Sequence, residues 1–383
     1  MKILFVVDNL GAGGAERSLQ ELLVPFARSG IVPIVACFSR RREGVEHLLK
    51  DHDVRFLPGA RRAAQMRELR RIAREERVDL VHTTLFEADV FGRPALLGLG
   101  VPIVTSLVNM PYEPARLQHD RRVNAVKLGA ARALEIATGF ACADHFHAIS
   151  EAVKDAAAER LWIPRRKVSV VLRGRDPGRL GRRSSARRQR VRAELGLADD
   201  SPVVISVGRQ EFQKGHGFLI EAMAQVRAVN PAAQLLIVGR AGSATDSLRE
   251  AASKLGDGVR FLGHREDVPD LMAAADVFAL PSLWEGLGCV LIEAMALELP
   301  IVASSLAPVK EVVLEHATLV PPAQAGPLAA ALSRTLGGGS DVEARVVAAR
   351  RRFEDALTID KSAEQMRQLF ERARREHAAS GRA

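Results

Sequence analysis

A chain of 383 residues with 47% apolar and 26% charged side chains has the make-up of a soluble globular protein and is long enough to bury two cores. Its formal net charge of +9 favours anionic partners: nucleotides, phosphorylated substrates or an anionic membrane surface. Aromatic residues at only 4% leave too few stacking platforms for single-stranded nucleic acid. Three scattered cysteines, Cys37, Cys142 and Cys289, have no metal-ligand spacing, which argues against a disulfide framework and fits a reducing cytoplasm.

Residues 2–7 (KILFVV) form a continuous, partly β-branched apolar run, which predicts a buried parallel strand and is too short for a signal-peptide core. A glycine loop follows (GAGGAER), then a helix with Leu19, Leu22, Leu23 and Phe26 on one face. Further strands are predicted at 31–38, 79–84 and 102–108, at a run ending in 146–150, and at 167–172. Ser150 is placed to cap the helix that begins SEAVKDAAAER. The uncharged stretch 94–111 is interrupted by GLGVP, so it reads as a helix end, a turn and a strand, not as a membrane span. Asp51, His52 and Asp53 resemble an acidic metal motif but precede an early strand, and no metal site is expected there.

The second half repeats the scheme, with strands predicted at 203–208, 234–239, 259–263, 277–282 and 300–304 and helices between them. Between the halves, residues 179–192 carry seven arginines and no acid, read either as a solvated linker or as a binding patch. A second basic stretch, 61–77, reads chiefly as a solvated helix and alternatively as a face for anionic lipid. The last helix pair, about 341–378, is amphipathic, with Asp360 as its candidate N-cap. Strand–helix alternation implies α/β architecture: two doubly wound, Rossmann-like parallel-sheet domains facing a central cleft, with ligands beyond the carboxyl ends of the strands. The expected division is 1–178 as an acceptor-side domain, 179–355 as a donor-binding domain, and 356–383 as a C-terminal helix packing back on the first.

Four loops carry candidate chemistry. In the first, Gly11, Gly13 and Gly14 let the backbone approach a ligand at a helix start. Glu16 stands where a dinucleotide fingerprint needs a small residue, though FSRRR (38–42) would suit a 2′-phosphate, so an NADP oxidoreductase stays open as a competing reading. In the second, VGRQEFQKGHGFLIEAM (207–223), Arg209 and Lys214 offer a planar fork and a mobile point charge to a diphosphate. In the third, the chain turns at Glu285, Gly286, Leu287 and Gly288 into a helix whose free N–H groups suit phosphate. Glu293 lies about six residues further, or ~9 Å along a helix axis. From there a carboxylate accepts from both hydroxyls of a ribose, while Glu285 faces the group beyond the phosphates. Glu293 sits among Val290, Leu291, Ile292 and Ala294, where an unpaired acid is costly, so a partner is expected. In the fourth, Gly263 and His264 end a strand where backbone groups read a base edge.

Together these stretches resemble a retaining glycosyltransferase of the large family four, the glycosyl transferases group 1, with the GT-B fold. GGAER resembles the family's N-terminal loop and VGRQEFQKGHGFLIEA its donor-phosphate loop. FLGHREDVPDLMAAADVFALPSLWEGLGCVLIEAMALELPIVAS resembles its longest signature, with two glutamates separated by seven residues. The resemblance implies transfer of a sugar from a nucleotide-sugar co-substrate to a hydroxyl acceptor with retained anomeric configuration, and neither metal nor cofactor. It implies that Arg209 and Lys214 hold the donor diphosphate and Glu293 the ribose. Glu285 and the amides of Gly286, Leu287 and Gly288 would hold the sugar and distal phosphate, with Gly263 and His264 beside the base. Gly13, Gly14 and Asn109 would lie on the acceptor side. The sequence departs at Val108, where many relatives carry a histidine, at Arg173 and Arg175, where Asn and Val are usual, and at Ala307 and Pro308 in place of a Gly pair. The expected setting is polysaccharide, lipid-linked glycan or glycolipid assembly in the cytoplasm, with peripheral association at an anionic membrane and no nucleic acid. The same fold would also suit a sugar-nucleotide-binding protein without transfer activity, or an epimerase.

Overall fold

The computed structural model describes residues 1–11, 13–41, 44–59, 61–110, 112–114 and 124–380. Ala12 of the first glycine loop, Arg42 of FSRRR, Pro111 at the end of the uncharged stretch and residues 381–383 lie outside the described residues. The chain forms two compact units, Met1–Arg175 with Thr358–Ala383, and Asp176–Leu357. Each is built on one parallel sheet.

Unit 1 contains β1 (Lys2–Val7), β2 (Val32–Cys37), β3 (Asp53–Phe56), β4 (Leu80–Thr84), β5 (Ile103–Leu107), β6 (His145–Ala148) and β7 (Val168–Val170). Their order is β3-β2-β1-β4-β5-β6-β7. Side chains alternate across β1. Ile3, Phe5 and Val7 join Leu19, Leu22, Leu23 and Phe26 of helix Gly14–Arg28, while Leu4 and Val6 join Leu69 and Ile72 of helix Arg62–Glu75. Helix Ile359–Ala379 completes the first of these cores with Ala363, Met366, Leu369, Phe370 and Ala373. The Phe370 ring stands 6.2 Å from Phe5 and 5.9 Å from Phe26, within the range of favourable aromatic pairs. Asp360 does not cap this helix. The chain is still extended at Thr358 (φ −75°, ψ 155°), so Thr358 is the N-cap and Asp360 lies in the first turn, where its charge opposes the positive helix end. Ser150 does cap helix Glu151–Arg160, accepting the Val153 N–H at 3.1 Å.

The departure at Arg175 has a structural use. Its side chain is almost fully buried, donates to Ser18 Oγ at 3.2 Å and lies 3.9 Å from the Glu21 carboxylate of helix Gly14–Arg28. Its carbonyl accepts the Ile359 N–H at 2.9 Å, so the two ends of unit 1's interruption meet in one hydrogen bond. In the basic helix Arg62–Glu75 three cations have partners within unit 1, while Arg67 and Arg74 are exposed. Arg62 pairs with Glu87, Arg71 with Glu68 and Glu75, and Arg70 donates to the carbonyls of Ala95 and Leu97.

Unit 2 contains β8 (Val203–Val207), β9 (Gln234–Val238), β10 (Val259–Gly263), β11 (Val277–Leu280), β12 (Ile301–Ser304) and β13 (Thr318–Val320), in the order β10-β9-β8-β11-β12-β13. The edge strand β13 was not foreseen, because three residues before a proline carry no readable period. The arginine-rich run forms helix Ser185–Glu194 and anchors it to the end of helix Val268–Ala274. Arg183 donates to the Ala275 carbonyl at 2.7 Å, Arg188 to the Ala274 carbonyl at 2.9 Å and Arg187 to Asp270 at 2.6 Å. Arg192 is fully buried and donates to the carbonyls of Ala274, Ala198, Asp199 and Ser201 and to Asp276 at 2.8 Å. Cations on orphan carbonyls at a helix C-terminus offset its negative end. Arg183, Arg187, Arg188 and Arg192 thus form an internal anchor that neither reading of the run foresaw, while Arg182 and Arg190 stay exposed. Arg192→Met removes the buried hydrogen bonds to four carbonyls and to the Asp276 carboxylate. We expect it to lower the stability of unit 2 by about 3–5 kcal/mol, read as a fall in urea midpoint at unchanged slope.

Candidate functional site

A parallel sheet offers a ligand a crevice where strand order reverses, because the loops on either side turn away from each other. In unit 2 that point lies between β8 and β11. The loop after β8 runs from Gly208 through the short turn Phe212–Lys214 into helix His216–Val229. The loop after β11 runs from Pro281 into helix Cys289–Ala296. The two are laced together. Lys214 Nζ lies 2.5 Å from Glu285 Oε1, which also accepts from Ser282 Oγ at 2.8 Å. Gln213 Nε2 donates to the Trp284 carbonyl at 2.8 Å, and the Leu283 N–H to the Gln213 carbonyl at 2.8 Å. Gly215, between Lys214 and its helix, holds φ +66°, and a Cβ there would overlap the Pro281 carbonyl oxygen. Only glycine permits that approach, which brings the lysine to the glutamate.

Helix Cys289–Ala296 starts at Gly288, with φ +80° and no side-chain cap. Its first N–H groups are thus those an anion would use. Leu287 and Gly288 are buried, while Gly286 is half-buried. Glu285 and Glu293 are both buried. The partner expected for Glu293 is Arg179, whose Nη2 lies 3.6 Å from Glu293 Oε1. Arg179 comes from the short helix Pro177–Leu180, just after the chain enters unit 2. Arg209 stands exposed at the head of the β8 loop, whereas Lys214 is half-buried. Gly263 ends β10 at φ +66°, and its carbonyl is taken by the Gly239 N–H at 2.8 Å. His264 follows it, exposed.

The switch point of unit 1 lies between β1 and β4. There Gly13 is the N-cap and Gly14 the first residue of a helix that also lacks a side-chain cap. Asn109 lines a cavity of about 370 Å³ beyond the ends of β4 and β5, together with Asp8, Ser106 and Val108. Val108 thus contributes an apolar side chain to the wall of this cavity. Asp8 accepts the Ala88 N–H at 2.8 Å, yet burial outweighs that bond and raises its pKa to about 6. Deeper in, burial of Asp89 raises its pKa to about 7 against the lowering charge of Arg93.

Sequence reasoning did not single out Arg179, Ser282, Gln213 or Asp8. Arg179 and Glu293 lie far apart along the chain, and only folding makes them neighbours. Asp8 did carry a signal, since it directly follows β1 at the carboxyl end of the strand.

Residues 12–179 match the family described as Glycosyltransferase Family 4, and residues 201–337 that described as Glycosyl transferases group 1. A GDP-mannose-dependent monoacylated alpha-(1-6)-phosphatidylinositol monomannoside mannosyltransferase of Corynebacterium glutamicum is 40% identical over 139 residues, covering 34% of this chain and 36% of that one. A UDP-Gal:alpha-D-GlcNAc-diphosphoundecaprenol alpha-1,3-galactosyltransferase of Escherichia coli is 29% identical over 244 residues, 62% of this chain and 60% of that one. The chain therefore matches between 36% and 60% of the length of these curated relatives. The crystal structure of Anabaena HepE with UDP and glucose superposes with a TM-score of 0.85 at 24% identity, over 97% of this chain and 99% of that one. WaaG, a glycosyltransferase involved in lipopolysaccharide biosynthesis, superposes with a TM-score of 0.76 at 19% identity, over 96% and 99% of the two chains. With both halves matched in sequence and the fold shared along the chain, this protein belongs to glycosyltransferase family four, the glycosyl transferases group 1, on the GT-B fold.

Proposed function

We propose that the protein transfers a sugar from a nucleoside-diphosphate sugar to a hydroxyl acceptor, with retention and without a metal ion, in polysaccharide, lipid-linked glycan or glycolipid assembly. The observation that carries this reading is the Lys214–Glu285 pair beside the uncapped helix start at the switch point of unit 2. A diphosphate leaving group needs positive field without bulk. The Lys214 ammonium, with one of its three protons on Glu285, and the N–H groups after Gly288 supply it. Arg209, exposed at the loop head, closes on the same phosphates when donor arrives.

Glu285 serves twice in this reading. It orients Lys214, and it accepts from the donor sugar's hydroxyls. Glu293 accepts from the ribose hydroxyls, with Arg179 aiming its carboxylate. Gly263 and His264 flank the base. In the transfer step the bond from the anomeric carbon to the phosphate oxygen breaks. A bond to the acceptor oxygen forms on the same face, and the acceptor proton passes to the departing phosphate. The names of the relatives, GDP-mannose-dependent and UDP-galactose-dependent, support a nucleoside-diphosphate hexose as donor and a lipid-linked or glycan acceptor. We place the enzyme in the cytoplasm, at the inner face of a membrane. Among the described residues no helix is long and apolar enough to cross one.

The reading is tested by thermal stabilisation with UDP, GDP, ADP, CMP and NADP. A nucleoside diphosphate at about a hundred times its Kd adds ~2.7 kcal/mol to the folded state, and we expect one of them to do so selectively. Stabilisation by NADP alone would revive the oxidoreductase. Binding of a nucleotide-sugar with no transfer to any hydroxyl acceptor would favour a binding protein, and loss of configuration at the sugar ring an epimerase.

Site variants give a second check. Lys214→Ala is expected to lower kcat/KM by about 10²–10³. Glu293→Ala is expected to weaken donor binding by about tenfold or more while largely abolishing the preference for ribo- over 2′-deoxyribonucleotide. Arg179→Ala should reduce the same preference and Arg179→Lys restore part of it. Transfer at the parent rate by Lys214→Ala would overturn the site.

A further inference from the structure

The cavity of about 370 Å³ in unit 1 lies at the small end of the range for small-molecule sites, a size that suits a single ring. Its walls come from the carboxyl ends of β1, β4 and β5 and from helices Ala125–Cys142 and Glu151–Arg160. Most of the lining is apolar, with Leu107, Val108, Leu128 and Val153 among it. Set into that lining are three carboxyl groups, Asp8, Asp89 and Glu135, and, among the described residues, one cationic side chain, Arg160. The chain as a whole carries +9, so the cavity is an acidic island in a basic protein.

Asp89 is only 4% exposed. Leu85, directly after β4, holds φ +79°, a costly conformation for leucine, and the chain then turns through the π-helical segment Ala88–Gly92 that carries Asp89. Asp89 Oδ1 accepts from Thr83 Oγ1 at 2.6 Å and lies 3.2 Å from Arg93 Nη2. Arg93 Nε donates to Thr105 Oγ1, and the Thr105 hydroxyl in turn donates to Thr83 at 2.9 Å, so every donor in the row leads to Oδ1. Asp89 Oδ2 has no partner among the described residues. Ser106 adds a second acceptor. His147 Nε2 lies 3.0 Å from the Val171 carbonyl, which can only accept, so that nitrogen carries the proton. Burial keeps the ring neutral, with its pKa lowered to about 3, so Nδ1 is bare and takes the Ser106 hydroxyl proton at 2.6 Å. The Ser106 oxygen is left with lone pairs for the cavity it lines. The Tyr112 hydroxyl gives its proton to Glu135 at 2.5 Å. Arg160 is engaged as well, with Nη1 on the Tyr112 carbonyl at 2.8 Å and Nη2 paired with Glu113 at 3.2 Å, and only its Nε is left to donate to a ligand hydroxyl.

We propose that this cavity takes a ring-sized acceptor bearing a protonated amine, held by Asp89 and Asp8, and turns away acceptors whose ring carries a phosphate or carboxylate. The proposal rests on the reading of the chain as a transferase and names the chemical class of its acceptor. An ammonium brings a charge and three donors, the complement of a wall that offers carboxylate oxygens and a hydroxyl lone pair. Burial raises Asp89 to about 7 and Asp8 to about 6, and repulsion from Glu135 and Asp8 adds to the rise at Asp89. A cation among these groups offsets both effects, whereas an anion would add to them. The apolar wall meets the C–H face of the ring. A metal ion does not fit, because among the described residues no three such side chains converge closely enough to hold one. The positive balance of the whole chain does not decide the matter, since surface cations beyond a Debye length are screened by salt and the lining carboxylates are not.

The test is calorimetric titration of the full chain at neutral pH with three rings of one size: trans-4-aminocyclohexanol, cyclohexane-1,4-diol and 4-hydroxycyclohexanecarboxylate. The amine is expected to bind about tenfold or more tightly than the diol, and the carboxylate more weakly than either. Asp89→Asn keeps the shape and removes the charge, and should bring amine and diol to within about threefold of each other. Asp8→Asn, at a half-buried position, should weaken amine binding by about threefold or more and leave the diol unchanged, which keeps the test decisive if Asp89→Asn does not fold. Arg71→Ala should titrate like the parent. A parent that does not prefer the amine, or that binds the carboxylate best, would overturn the proposal. So would a parent-like preference in folded Asp89→Asn, or in Asp8→Asn. Thermal stabilisation by a nucleoside diphosphate, measured on the same preparations, reports the donor site in unit 2. No amine preference with that stabilisation intact overturns the acceptor class alone, whereas absence of the stabilisation overturns the transferase reading.

Discussion

The contact on which the candidate site depends is the hydrogen-bonded ion pair between Lys214 and Glu285. Two loops that leave adjacent strands in opposite senses have no reason to converge unless something joins them. Here a lysine from one meets a carboxylate from the other, and the near approach of backbone at Gly215 makes the distance possible. Both groups are largely withdrawn from water, so their attraction is less screened than at the surface and holds the loops in register before any ligand arrives.

The same economy recurs among the arginines, the residues that give the chain its basic balance. From composition alone, the run 179–192 reads equally well as a linker or an anion patch. In the fold its cations end on carbonyl groups and on Asp270 and Asp276, and so on the protein's own partial charges. Arg175 is withdrawn from solvent in the same way beside Glu21. Net charge therefore describes the field a partner meets only after these internal pairs are removed from the count. What is left exposed, such as Arg209 at the head of the β8 loop and Arg166, is a smaller and more local set.

Most of the architecture was legible because parallel strands buried on both faces leave continuous apolar runs, as in KILFVV and VVISV. Elements too short to show a period escaped, with β13 the clear case. Cap residues were read correctly where side-chain chemistry decides, at Ser150, and wrongly where the backbone path decides, at Asp360. The glutamate pair was visible as spacing within one segment. Its partners were not, because Lys214 and Arg179 reach it from remote segments, and spacing carries no information about such meetings. The outward face of helix Ala125–Cys142 was also invisible. An alanine-rich amphipathic pattern does not say which side the core will take, and here the cavity took the side bearing Glu135.

The hydrogen bond from Ile359 to Arg175 has a consequence for how the molecule is made. Unit 2 is an insertion whose two ends are held side by side within unit 1. During synthesis the whole of unit 2 leaves the ribosome before the helix that finishes the older unit. The first sheet must wait with Phe5 and Phe26 lacking the Phe370 ring that later covers them, while the inserted unit has every residue it needs. The second sheet to be translated is thereby the first whose core residues are all present. A chain truncated shortly before residue 359 would then yield a complete second unit attached to an incomplete first one, an asymmetry set by connectivity alone.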